Sequence, residues 1–362
     1  MLSFLKRKPS LNRDAKKGIK LIKKLFTLKL TRLILIILAL IVFSPLIAFV
    51  ALRPKVSEEI NYGVTFSNKY AEELGLDWRN SYIKVLDDLG AKNLRLVVYW
   101  DETEPTNNEY SFDNIKFQLD EAEKRDVNVI LTMGRKVPRW PECFEPAWWK
   151  KISREVDRDA QLYEFIATTT SELKDYKTIK KWQVENEPFF PFGECEFEIK
   201  RDTLKNEIDI VREIDNRPIL VQDSGEGGYW YPSYKLGDYL GISMYRRIWY
   251  DFWGIFLGNH IYFKYPLAHW SYKIKAETLQ VPPEKIIVTE LQAEPWGPGI
   301  NSKLTTDQKN KTMSRDKFID TIAYAQKSGF NNLYLWGVEW WLWEKEVNNN
   351  AFYWDTAKAL FN

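Results

Sequence analysis

A chain of 362 residues, 45% hydrophobic and 15% aromatic, has room for one large domain or two small ones, and that composition excludes a disordered or collagen-like polymer. Its net charge of +2 joins two unlike parts: residues 1–32 hold eleven Lys or Arg against one acid, Asp14, while the other 330 residues carry 41 basic and 49 acidic side chains, or −8. An acidic body excludes nucleic-acid binding by phosphate neutralisation, and two Cys with two His exclude a zinc scaffold or a disulfide-rich miniprotein.

In chain order, the first feature is the basic arm, 1–32. Residues 33–52 follow, twenty residues without a charge between Arg32 and Arg53, which is the length a helix needs to cross a hydrocarbon core of about 30 Å. They read as a transmembrane signal anchor in the lipid bilayer. A cleaved signal peptide is the alternative, but Ala48-Phe49-Val50-Ala51 fits a cleavage site poorly. The positive flank places the N-terminus in the cytoplasm and everything after the span outside. Within the arm, Ile19, Leu21, Ile22, Leu25 and Phe26 interleave with Lys16, Lys17, Lys20, Lys23 and Lys24. That spacing suits an amphipathic helix on anionic lipid and equally an unstructured positive flank. Residues 53–59 form a short linker.

From residue 60 to 362 short apolar runs alternate with longer amphipathic ones, the pattern of β-α units around a parallel sheet. Eight strands are expected, at 61–66, 94–99, 128–133, 181–184, 219–222, 239–243, 285–289 and 332–336, with helices at about 80–89, 112–125, 158–174, 201–215, 269–278, 306–328 and 356–361. This count and size predict an α/β fold, a (β/α)8 TIM barrel with its active site at the C-terminal strand ends. An open doubly wound sheet is disfavoured, because Phe66-Ser67-Asn68-Lys69 after the first strand has no glycine fingerprint.

The expected strand ends bring together Arg95 and Trp100, Glu185-Asn186-Glu187, Tyr245, Glu290 and Trp336. Carboxylates on strands four and seven face each other across a barrel mouth, as glycoside cleavage by two carboxyl groups requires. Flat aromatic faces pack on pyranose C–H faces, so Trp100, Trp296 and Trp336, with Trp140, Trp230, Trp249, Trp340, Trp341 and Trp343, are candidate linings of a glycan cleft; core packing is the plainer reading of many of them. Glu294 lies beyond the apolar strand and is expected to line a loop. Cys143 and Cys195 fall in loops after strands three and four, where a disulfide or two free thiols are both open. The scarcity of His and Cys leaves no credible metal site, and no cofactor is expected.

The run Trp182-Gln183-Val184-Glu185-Asn186-Glu187-Pro188, with Val288-Thr289-Glu290 about a hundred residues later, resembles the Asn-Glu-Pro and second-Glu signatures of the retaining clan A glycoside hydrolases, cellulase-like barrels among them. The resemblance implies a membrane-anchored retaining enzyme acting on a β-linked oligo- or polysaccharide. Glu187 would be the general acid/base, Glu290 the nucleophile and Asn186 a ligand of the sugar 2-hydroxyl. Arg95 and Tyr245 match the clan's supports of the nucleophile, and Trp336 its sugar platform. Many clan members carry His near the third and sixth strand ends, where this chain reads Thr132-Met133-Gly134-Arg135 and Ser243-Met244-Tyr245. A transglycosylase using the same residues and an inactive carbohydrate-binding scaffold are the competing readings.

Overall fold

The computed structural model describes residues 13–51, 59–250 and 261–361. The first twelve residues of the basic arm, Leu52 at the end of the expected anchor, all of the expected linker except Glu59, and His260 lie outside the described residues. The chain divides into two units, 1–53 and 54–362.

In the first unit a single helix, α1, runs over Arg13–Ala51, so the described part of the basic arm and the charge-free stretch share one element. Its Phe26–Ser44 segment is long and apolar enough to cross a membrane, as either an anchor or a signal sequence is, and none of it is buried against protein.

The second unit is built on a closed parallel barrel of eight strands: β1 (Asn61–Thr65), β2 (Asn93–Val97), β3 (Asn128–Met133), β4 (Ile179–Val184), β5 (Ile219–Asp223), β6 (Tyr239–Met244), β7 (Ile286–Gln292) and β8 (Asn332–Trp336). Each pairs in parallel with its chain neighbours and β8 closes on β1, Gly63 lying opposite Tyr334. All eight expected strands are present, their ends displaced by up to three residues. A two-stranded antiparallel ribbon, Arg247–Tyr250 against Ile261–Lys264, was not expected and leaves the barrel after β6.

Side-chain alternation sorts each strand into two faces. Outward residues such as Leu94, Leu96, Trp182, Val184, Ile242 and Val288 join the large core beneath the helices. Inward residues form layers along the barrel axis. The lower layer is apolar, a cluster of Ile130, Leu220, Ile287 and Tyr334. Gly63 is required there, because a Cβ would stand 2.6 Å from the Tyr334 ring. The layer above is polar, with Arg95, Gln183, Gln222 and Thr289 all fully buried. One register shift in the β6–β7 pairing falls between Ile242 and Ser243. Such a shift re-aims side chains, and Thr289 and the adjacent Glu290 here both bond to groups of the barrel interior.

Three helical expectations change. The segment 306–328 is two helices, Thr306–Thr312 and Arg315–Gln326, because Ser314, extended at φ −82° and ψ 169°, accepts the Lys317 N–H on its Oγ and starts a new helix. The last helix begins earlier, at Phe352. Val338–Glu346, after β8, is a helix with seven buried residues, where loop tryptophans were expected.

Candidate active site

The polar layer converges on Glu290. Arg95, fully buried, reaches across the barrel from β2 with Nη1 2.8 Å from Glu290 Oε1, while Nη2 donates to Asn186 Oδ1 at 2.6 Å and Nε to Gln183 Oε1 at 2.8 Å. A buried guanidinium is tolerable only with such complete pairing. Gln222 Nε2 adds a second bond to Glu290 Oε1 at 2.8 Å, and Tyr245 OH donates to Oε2 at 3.1 Å.

Glu187 approaches the same place from β4. Its Oε1 accepts a 2.8 Å bond from Ser243 Oγ, and Ser243 is the register partner of Glu290 on the neighbouring strand, so both carboxyl groups meet at the β6–β7 rim. Burial, and then the negative charge of Glu290, push the Glu187 carboxyl up to about 8. Glu185 and Glu187 both occupy the left-handed region, at φ 61° and 46°, a conformation that concentrates at functional turns. Glu185, two residues before Glu187, is fully buried and points elsewhere: its carboxylate accepts the backbone N–H groups of Arg135 at 3.0 Å and Lys136 at 2.7 Å. It anchors the β3 loop to the β4 loop.

Several aromatic expectations are corrected. Trp100 has no exposed surface; Phe165 stacks on it at 4.9 Å and Trp149 tilts against it at 5.5 Å, so no face is left for a sugar. Trp230, Trp340, Trp341 and Trp343 are likewise buried. Trp296 is half-buried on the rim, edge-on to Tyr245 at 4.8 Å and tilted against Phe192 at 5.6 Å, and Phe192 meets the exposed Trp140 at 5.8 Å. These four rings form a wall leading to Glu290. Trp336 is as buried as Trp343; its indole N–H is held on Glu294 Oε1 at 2.8 Å, and the Arg139 guanidinium stands 4.1 Å from its ring.

Glu294 is not a loop-lining residue. It is buried in an ion-pair cluster in which Arg139 binds Glu294 and Glu339, each at 2.5 Å, and stands 3.8 Å from the Tyr70 ring. Burial pushes the Glu294 carboxyl up to about 7. The β3 loop thus contributes Lys136, Arg139 and Glu142, none of which was assigned a role from sequence; an apolar strand followed by a charge-rich run, Arg135-Lys136 to Glu142, was the available signal. Ser243, Gln183 and Gln222 were also unassigned, although polar residues at inward positions of a barrel strand mark a polar interior. Cys143 and Cys195 are joined as a disulfide, Cα–Cα 5.3 Å, tying the β3 and β4 loops together.

The model of the family described as Cellulase (glycosyl hydrolase family 5) matches residues 61–339. Among solved structures, a GH5_18 from Streptomyces cattleya in complex with GlcNAc aligns with TM-score 0.52 at 12% identity over 77% of this chain and 70% of that one. A GH5_18 from Bifidobacterium longum subsp. longum in complex with Manb1-4GlcNAc gives 0.53 at 15% over 76% and 68%, and the exo-β-1,4-mannosidase Op5Man5 from Opitutaceae bacterium strain TAV5 gives 0.55 at 15% over 83% and 60%. At these identities the structures show the shared barrel fold. Comparison with curated proteins returns no match. The departures at the third and sixth strand ends do not remove the chain from the family, and with the family model spanning most of the barrel, the chain belongs to glycosyl hydrolase family 5 and is a glycoside hydrolase.

Proposed function

We propose that the chain is a membrane-anchored retaining glycosidase that cleaves a β-linked glycan outside the cytoplasm by double displacement. Glu290 attacks the anomeric carbon while Glu187 protonates the leaving oxygen; the same Glu187 then takes a proton from the water that releases the sugar. Arg95 and Tyr245 orient the nucleophile, Asn186 binds the 2-hydroxyl, and Trp336 and Trp296 line the cleft. The observation that carries this reading is the pair of carboxyls meeting at the β6–β7 rim with different partners: Glu290 bonded by three donors and Glu187 pushed up to about 8. Unlike environments for two carboxyls are how such sites divide nucleophile from acid. The proposed organisation remains a basic cytoplasmic arm at 1–32, an anchor at 33–52, a linker at 53–59 and a catalytic domain at 60–362, with apolar α1 as its support.

Mannosyl β-1,4 glycosides are the first substrates to test, since neighbours of this fold are named for them. Proton NMR of the initial product is expected to show the β anomer, formed before mutarotation. Initial α product from a β-glycoside would rule out retention.

A further inference from the structure

The two-stranded ribbon that leaves the barrel after β6 wears its apolar face outward. Arg247 is paired with Lys264, Ile248 with Phe263 and Trp249 with Tyr262, so alternation puts Arg247, Trp249, Tyr262 and Lys264 on one face and Ile248, Ile261 and Phe263 on the other. The first face packs inward: Arg247, 8% exposed, pairs at 2.6 Å with Asp320 of the helix Arg315–Gln326, and Lys311 Nζ stands 5.0 Å from the centre of the Tyr262 ring. The second face is open, with Ile261 37% and Phe263 45% exposed. An antiparallel pair on a protein surface ordinarily does the reverse, apolar side in and polar side out. The root of the ribbon is fixed to the barrel, since Gln292 Oε1 accepts the backbone N–H groups of Arg246 at 3.1 Å and Arg247 at 3.0 Å.

The apolar surface continues beyond the ribbon. Leu267, whose carbonyl accepts from Tyr324 OH at 3.0 Å, and Ile319, the neighbour of Asp320, are exposed as well. Among the described residues of the second unit nine large apolar side chains are exposed, and Ile261, Phe263, Leu267 and Ile319 share this flank; such clustering marks an interaction site. By sequence the ten residues that join the two strands, 251–260, include Phe252, Trp253, Ile255, Phe256 and Leu257 and a single charge, Asp251. Lipid is the partner this chemistry fits. Exposed Lys264 and Lys311 border the apolar residues, and an apolar face with a basic rim is what binds an anionic bilayer surface. The chain also carries a tether of its own, because Phe26–Ser44 is long and apolar enough to span a membrane. Residues 52–59, fully extended, reach at most about 28 Å, so a contact between the second unit and the bilayer its tether crosses is effectively intramolecular and needs little affinity of its own.

We propose that the outward face of the ribbon, with Leu267 and Ile319, is a second membrane contact, which lies in the lipid headgroup layer and fixes the orientation of the barrel on the bilayer. This rests on the anchor proposed for 33–52 and adds a contact outside it. The test puts the full chain in vesicles of three parts phosphatidylcholine to one part phosphatidylglycerol, with one thiol introduced for an environment-sensitive dye by Phe263→Cys, by Ile319→Cys or, as a control, by Val156→Cys. Cys143 and Cys195 are joined and do not take the dye, and Val156 is exposed in the helix Glu155–Leu173, between β3 and β4. An interfacial apolar face sits about 5–10 Å into the headgroup boundary, so dye at 263 and 319 is expected to shift to the blue and to lose at least about half its emission when 5-doxyl phosphatidylcholine is included, while dye at 156 loses less than about a tenth. Adding Ile261→Asp and Phe263→Asp to the Ile319→Cys chain should remove most of the quenching at 319. A chain that floats with the vesicles but shows no lipid quenching at 263 overturns the proposal alone; a blue shift there without quenching would mean that residues 251–260 or a second copy covers the face instead. Equal quenching at 156 overturns it too. A chain that does not float with the vesicles overturns the anchor reading along with it.

Discussion

Incubated with a 2-deoxy-2-fluoro β-glycoside bearing a good leaving group, the chain is expected to accumulate a covalent sugar adduct on Glu290, and Glu290→Ala to lose at least about 10⁴-fold in kcat. Glu290 carries a guanidinium from inside the barrel directly on its carboxyl, Arg95 at 2.8 Å. Its Oε1 is held by two donors, Arg95 and Gln222, while Oε2 carries only the longer Tyr245 bond, which leaves Oε2 the less encumbered oxygen for attack. The electron-withdrawing fluorine slows both steps, and the activated leaving group restores only the first, so the intermediate persists long enough for peptide mapping. Glu294, four residues on, is the competitor in sequence. Its Oε1 is bound to Arg139 and to the Trp336 indole and its Oε2 is buried, so neither oxygen is presented to a sugar. A label on Glu294, or none on any carboxylate, would overturn the assignment.

The barrel and its two acidic signatures were legible in sequence because each rests on a local rule. Strands such as Asn128–Met133 are short apolar runs, and Asn186-Glu187-Pro188 is a contiguous motif. What escaped depends on contacts across the barrel. Arg139 and Glu339 are 200 residues apart in the chain and 2.5 Å apart in space, and nothing near either predicts the other. Tryptophan misled for a related reason: Trp100 follows β2 closely, as a rim residue would, but the short helix Trp100–Thr103 turns it outward onto Phe165. Proximity to a strand end gives position along the barrel axis and not the direction a side chain takes once the chain turns. Val338–Glu346 hid for lack of periodicity, since a helix buried on nearly every side has no polar stripe to reveal it.

The pH dependence of kcat/KM should show an alkaline limb near pH 8 set by Glu187, because a raised carboxyl is protonated below that value and loses its acid form as pH rises through it. Glu187→Ala should cost about 10²–10⁴-fold with poor leaving groups, recover with a dinitrophenyl glycoside that needs no protonation, lose the alkaline limb with that substrate, and yield a β-glycosyl azide when azide is added. The cause of the shift makes a sharper test. Part of it is the charge of Glu290, and that charge disappears when Glu290 becomes an ester in the glycosyl-enzyme. Glu187 should then become more acidic just when the second step requires it to act as a base. Carbon-13 titration of Glu187 in a Glu290→Gln chain, or in the fluoro-sugar adduct, is expected to give a value clearly below 8, with the remaining elevation due to burial. An unchanged value would mean that the two carboxyls do not sense each other, and the division of labour between them would fail even with activity intact.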